Sequence, residues 1–149
     1  MAGATIAVAS DHAGFDLKEI LKSDLQAAGY AVLDLGTNST ASVDYPDYGA
    51  AMGEAIAAGK AERGVIVCGS GIGISIAANR NPRVRAVLAH DTTSARLSRE
   101  HNDANVVAFG QRVIGVEVAR EALKVFLNTA FEGGRHAGRV AKLSGVAKS

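Results

Sequence analysis

The stretch Gly64–Asn81, GVIVCGSGIGISIAANRN, decides the fold. Val65, Ile66 and Val67 form an apolar, β-branched run, the mark of a strand buried on both faces. Cys68 closes that strand, and glycines follow at 69, 71 and 73. From Ile72 onward, Ile72, Ile76 and Asn79 or Arg80 recur at helical spacing. The stretch therefore reads strand, glycine turn, helix. Glycines let a ligand approach the backbone and leave N–H groups free, and the helix N-terminus adds partial positive charge. A thiol, the Ser70 hydroxyl and a row of N–H donors meet at one place, which suits stabilisation of a developing oxyanion. Two other readings compete. A lone cysteine ending a buried strand also behaves as an inert small hydrophobe. The glycines also suggest a dinucleotide fingerprint, but G-x-G-x-x-G ends on Ile74 counted from Gly69 and on Ile76 counted from Gly71. Asp91, about twenty residues on, has the spacing of a ribose-binding acid, but spacing alone does not decide.

Outward from this stretch the same alternation repeats. Upstream, Thr5–Ala9 is a short apolar strand ending at Ser10-Asp11-His12-Ala13-Gly14. A helix follows from about Phe15, with Leu17, Ile20, Leu21 and Leu25 as its buried stripe and Lys18, Glu19, Lys22 and Asp24 as its wet face. Gly29 is a natural stop, and Ala31–Leu35 is the second strand. Gly36 to Asp47 reads as a polar loop, since Pro46 and the small polar residues argue against regular structure. Tyr48–Gly59 is an alanine-rich helix. Downstream, Val84–Ala89 is a fourth strand ending at His90-Asp91, followed by a helix from Thr92 to His101. Asn105–Ala108 is a fifth strand, Gly115–Leu127 an amphipathic helix, and a terminal helix carries Val140 and Leu143. Strands alternating with helices over short connections imply an open parallel sheet covered on both faces. Ligands of such folds bind outside the carboxyl ends of the strands. Asp11, His12, Cys68, Ser70, His90 and Asp91 all fall just after strands.

Bulk properties narrow the class. A chain of 149 residues suits one domain with a single sizeable core. One cysteine rules out an internal disulfide and a multi-cysteine zinc site. No leader-like segment or membrane-length apolar run is present, so the cytoplasm is the expected compartment. From Arg112 to Ser149 seven Lys/Arg and His136 stand against three Glu. Without aromatic interleaving or long basic runs, that excess fits a small anionic ligand rather than nucleic acid or a membrane.

The histidines at 12, 90, 101 and 136 each have a bland reading as surface or capping residues, and Asp11 one as a helix cap. No H-x-x-x-H or related spacing supports a metal site. No G-x-S-x-G elbow supports a hydrolase, and no lysine follows the fifth strand, where Phe109-Gly110-Gln111 stands, as a receiver domain requires. Arg135-His136-x-x-Arg139 places basic groups on one helical face, either solvated or as a phosphate clamp.

Five segments together resemble ribose-5-phosphate isomerase type B, of the ribose/galactose isomerase family. They are Ser10–Phe15 (SDHAGF), Asp44-Tyr45-Pro46, Cys68–Asn79 (CGSGIGISIAAN), Arg99–Asn105 (REHNDAN) and Gly134-Arg135-His136-x-x-Arg139, in family order over nearly the whole chain. The resemblance implies a single-domain, Rossmann-like α/β/α sandwich with a five-stranded parallel sheet. It also implies a homodimer, or a tetramer, with active sites between subunits. The reaction it implies is aldose–ketose interconversion of ribose 5-phosphate and ribulose 5-phosphate through an enediol, a step of the pentose phosphate pathway, without metal or cofactor.

Carried over by position, Cys68 is the base that moves a proton between C2 and C1. His101 opens the furanose ring with Asp11 assisting. Ser70 and the amides around Gly69, Gly71, Ile72 and Gly73 hold the enediolate. Tyr45 and Asn102 contact substrate hydroxyls. His12, Arg112, Arg135, His136 and Arg139 form the phosphate site, some of them from the partner subunit. Relatives with a glutamate base carry it just beyond the turn, where this chain reads Gly73-Ile74-Ser75, so the cysteine version applies. The residues' own chemistry agrees. A C–H beside a carbonyl is a weak acid, so isomerisation needs a positioned base and charge stabilisation. A thiol at a helix N-terminus is biased toward thiolate. The rival substrates are galactose, allose or tetrose phosphates. The rival class is a non-catalytic phosphate- or nucleotide-binding module.

Overall fold

In the computed structural model, which describes residues 3–145, five strands form one parallel sheet. They are β1 (Thr5–Ser10), β2 (Ala31–Asp34), β3 (Arg63–Cys68), β4 (Ala86–Leu88) and β5 (Val106–Gly110), in the order β2-β1-β3-β5-β4. Six helices connect and flank them: α1 (Phe15–Ala27), α2 (Tyr45–Ala57), α3 (Ile72–Asn79), α4 (Thr92–Asn102), α5 (Val116–Asn128) and α6 (Arg135–Gly145). Lys148, part of the basic C-terminal third, lies outside the described residues.

The alternating side chains of the central strands make two cores. Ile6, Val8, Val65, Val67, Val107 and Phe109 face one side, where α1, α4 and α5 cover them. Ala7, Ala9, Ile66, Cys68, Val106 and Ala108 face the other side, under α2 and α3. The result is a three-layer α/β/α sandwich. Each fully buried aliphatic side chain in these layers contributes about 1.5–3 kcal/mol of transfer free energy. Small residues on the α2/α3 side let those helices approach closely; at Gly64 the Met52 thioether occupies the space a side chain would fill.

Three expected boundaries change. The helix expected from Tyr48 begins at Tyr45, because Pro46 sits in its first turn, where a missing N–H costs nothing. The fourth strand shortens to Ala86–Leu88: the Val84 N–H turns back to the Asn81 carbonyl at 2.9 Å and the Arg85 N–H goes to Asn105 Oδ1 at 2.8 Å. The fifth strand, in turn, runs on to Gly110. Ile72 and Ile76 lie on one helical face as their spacing implies, each 52% exposed, while Ile74, Ser75 and Ala78 make the buried face of α3.

Lys18, expected on the wet face of α1, is 1% exposed. Its Nζ lies 2.9 Å from Asp34 Oδ1 and 3.1 Å from Glu19 Oε2, and Lys22 reaches Asp34 Oδ2 at 3.0 Å. Asp34 Oδ1 also accepts the Gly36 N–H at 2.9 Å, and Gly36 in turn bonds back to Ser10. The ion pair thus fastens the end of β2 beside the end of β1. Burial alone pushes the Asp34 carboxyl up, but hydrogen bonds from Lys18, Gly36 and Lys22 outweigh it and hold the group below the usual range. Its contribution to stability is fully present above the ordinary value of 3.8 and is lost as pH falls through the lower folded value. Asp34→Asn is expected to cost about 3 kcal/mol, since it leaves a buried ammonium short of its counter-charge. Urea titrations at pH 7 and pH 3 should show the gap between parent and variant narrowing in acid.

Candidate active site

The chain runs from β1 outward to β2, then back across to β3 on the other side of β1. This reversal opens a crevice between the carboxyl ends of β1 and β3, the place where doubly wound sheets bind ligands. A cleft of about 610 Å³ lies there. Asp11, His12 and Ala13 line it from the end of β1; Cys68, Gly69, Ser70, Ile72 and Gly73 come from the β3–α3 turn; Tyr45, Arg112 and Val113 complete it.

The β3–α3 turn is shaped by its own bonds. Gly71 has φ +78°, and its N–H points at Cys68 Sγ, 3.2 Å away. Ser70 Oγ accepts the Ile72 N–H at 3.2 Å, leaving the next N–H, that of Gly73, for a ligand oxygen. Gly73 is small because the Tyr45 ring packs on it; an added Cβ would meet Tyr45 Cζ at 2.7 Å. The turn is braced from β5: Gln111 N–H donates to the Cys68 carbonyl and Arg112 N–H to the Gly69 carbonyl, both at 3.0 Å.

Asp11 does cap the chain after it, Oδ1 accepting the Gly14 N–H at 3.1 Å, yet it still lines the cleft. His12 Nδ1 lies against the Val43 backbone, 3.1 Å from its N–H and 3.2 Å from its carbonyl, which fixes the ring at the rim of the cleft. His90 and Asp91 have structural roles. His90 Nε2 accepts the Gly110 N–H at 3.0 Å, and burial pushes this imidazole down, toward the neutral form that can accept. Asp91 caps α4 through Ser94, whose N–H holds the carboxyl below its ordinary value. An Asp91 engaged in this way does not act as a ribose-binding acid.

The remaining candidates gather elsewhere in the chain. His101, Asn102, His136 and Arg139 line a second cleft of about 340 Å³ with Val140 and Leu143, between α4 and α6. Arg135 and Arg139 are exposed on α6, whereas His136 is buried against His101. One chain therefore brings Cys68, Asp11 and Ser70 together and holds His101 and Arg139 apart from them.

Sequence reading missed Glu132, which sits in the loop before α6 and faces both rings of the second cleft. His101, Glu132 and His136 offer three metal-ligand atoms within 4.8 Å of one another. Their rings, however, stack at 14° with centroids 4.3 Å apart, so the in-plane lone pairs run side by side and do not converge on one ion.

Fold and cleft together define a doubly wound α/β enzyme with a thiol beside a glycine turn and a helix N-terminus. The family model for Ribose/Galactose Isomerase matches residues 6–143. Ribose-5-phosphate isomerase B of Escherichia coli is 44% identical, over 95% of this chain and 95% of that protein. D-erythrulose-4-phosphate isomerase of Pectobacterium atrosepticum is 41% identical, over 93% of this chain and 92% of that protein. The solved structure of ribose-5-phosphate isomerase B from Clostridium thermocellum aligns with a TM-score of 0.95 and 46% identity, covering 97% of each chain. The chain is an aldose–ketose isomerase of the sugar phosphate class. It belongs to the Ribose/Galactose Isomerase family.

Proposed function

We propose that this protein interconverts ribose 5-phosphate and ribulose 5-phosphate through an enediol. The observation that carries the reading is the convergence of Cys68, Ser70, Asp11 and the open N-terminus of α3 in one cleft at the sheet's switch point. The Cys68 thiolate takes the proton from C2 and returns it to C1, while the proton on O2 passes to O1, so the C1 aldehyde becomes a hydroxyl and C2 becomes the ketone. The oxygen that gains negative charge lies against the Gly73 N–H and Ser70, where helix dipole and donors stabilise it. Arg112 at the rim supplies positive charge for the phosphate and His12 a ring nitrogen to hydrogen-bond it, and the binding energy of that group positions the reacting carbons.

Ring opening by His101, hydroxyl contact by Asn102, and phosphate contact by Arg135 and Arg139 require these groups to reach a Cys68 cleft. Since one chain keeps the two clefts apart, the arrangement supports a homodimer in which each subunit completes the other's site. The exposed Ile72 and Ile76 on α3, beside the cleft, offer the apolar surface such a pairing would bury. No described helix is long and apolar enough to cross a membrane, and a sugar phosphate isomerase of this kind would work in the cytoplasm.

The test is conversion of ribose 5-phosphate by purified protein with a chelator present. Turnover supports the reading; absence of turnover overturns it. A tetrose phosphate is the second reading, because the erythrulose 4-phosphate relative is nearly as similar as the ribose 5-phosphate one. Comparing kcat/KM for four-, five- and six-carbon aldose phosphates separates them. The expected result is a clear maximum at five carbons.

A further inference from the structure

Glu132 is an acid with unusual company. Among the described residues its carboxylate pairs with no Lys or Arg; its ionic partners are His136 Nε2 at 3.5 Å and His101 Nε2 at 4.0 Å. The other anions near His101 are already engaged: Glu100 with Arg96 at 2.7 Å, and Asp103 with Arg99 at 2.8 Å and Arg85 at 3.4 Å. Glu132 is anchored to α4 as well, its N–H donating to the Glu100 carbonyl at 3.1 Å.

His136 is the other half of the arrangement. It is 6% exposed, and its Nε2 is a buried polar atom with no hydrogen-bond partner. Buried polar atoms are normally satisfied, and Glu132 is the group within reach. Burial first, then the charges of His101 and Arg135, hold His136 toward its neutral form; Glu132 opposes them and Arg139 adds to them. The His136 ring also stacks on His101, fixing the plane of a ring that is otherwise 39% exposed.

We propose that Glu132 and His136 are positioning residues for His101: the carboxylate stabilises positive charge on the exposed ring, and the buried ring beneath it fixes its orientation. The proposal rests on the reading of His101 as the ring-opening group. In that step the bond from C1 to the ring oxygen breaks, the ring oxygen takes a proton from the His101 imidazolium, and the C1 hydroxyl gives its proton to a carboxylate, Asp11. No electrons enter or leave. A charged His101 is needed at the start, and Glu132 supplies the counter-charge.

Glu132→Gln removes the charge and keeps the shape at a half-exposed position, so folding is not at stake. Two readouts test it. The first is an NMR titration of the His101–His136 pair, which should take up its proton at lower pH in the variant than in the parent. An unchanged titration overturns the proposal.

The second readout compares two rates on one substrate pair. Ribulose 5-phosphate cannot close a five-membered ring, since its O5 carries the phosphate. Exchange of its C1 hydrogen with deuterated solvent therefore reports proton transfer at carbon without ring opening. Conversion from ribose 5-phosphate should fall about tenfold more than this exchange. An equal fall in both rates, or none in either, overturns the proposal. If the parent protein neither converts nor exchanges, the sugar assignment falls, while the titration still decides whether Glu132 and the histidine pair are coupled.

Discussion

Cys68→Ala is expected to lower turnover of ribose 5-phosphate roughly a thousandfold, about 4 kcal/mol of transition-state stabilisation. The chain holds no second thiol to take its place. Cys68 ends β3 at the C-terminal edge of the sheet, 4% exposed, and borders the cleft beside Ser70 and Asp11. The side chain is small, and its neighbours Ile66, Ile74 and Ala108 continue the core around it, so the substitution leaves a folded protein. Circular dichroism and urea midpoints should remain near those of the parent. Exchange of the C1 hydrogen of ribulose 5-phosphate should fall in step with turnover, because both need the same base. A ring-opening defect would leave exchange ahead of turnover, so the pair of rates assigns the lost step. Undiminished turnover in a folded Cys68→Ala would move the base elsewhere, with Asp11 the next ionisable group lining the cleft.

The part of this site that sequence could reveal is the part built by one contiguous segment. In GVIVCGSGIG the apolar run, the glycines and the following helix are all local, so the thiol's place at a strand end followed from spacing alone. Lys18 was illegible for the opposite reason. Amphipathic counting sends every lysine to water, and the Asp34 that draws this one inside stands sixteen residues on, at the far end of another strand. The sheet order has the same character: β5 enters between β3 and β4 through pairings such as Val65 with Val107, which no local pattern encodes. Glu132 stayed hidden because a loop glutamate carries no periodicity. Only folding α6 back on α4 sets it against two imidazoles. The exposed Ile72 and Ile76 show a further limit, since an apolar helical spacing reports a face to be covered but not whether the chain itself covers it.

Gly14→Ala should be among the most damaging substitutions of a single methyl group in this chain. Gly14 ends the turn between β1 and α1 and receives the Asp11 cap. It lies so close to β3 that an added Cβ would press on the Val67 carbonyl, 2.5 Å from its carbon and 2.8 Å from the Val67 Cβ. Backbone cannot swing aside as a flexible side chain can. Either the turn lifts from the sheet or β3 shifts, and each breaks the bond from the Asp11 N–H to the Val67 carbonyl. Overpacking of this kind costs about 3 kcal/mol, which for a chain of this size lowers Tm by roughly 6–12 °C. The same movement separates Asp11 from Cys68, so kcat should fall even in the protein that remains folded. Gly115→Ala is the control. Gly115 has an ordinary φ of −76° and nothing within 4 Å of the added atom, so only the exchange of a glycine for an alanine at the N-cap of α5 counts against it, no more than about 1 kcal/mol. Equal Tm losses for the two variants would mean that contact with the Val67 backbone does not set the cost. A Gly14→Ala protein with parental Tm and kcat would show that β1 and β3 can part at the cleft without consequence, and that the spacing of Asp11 and Cys68 matters less than the geometry requires.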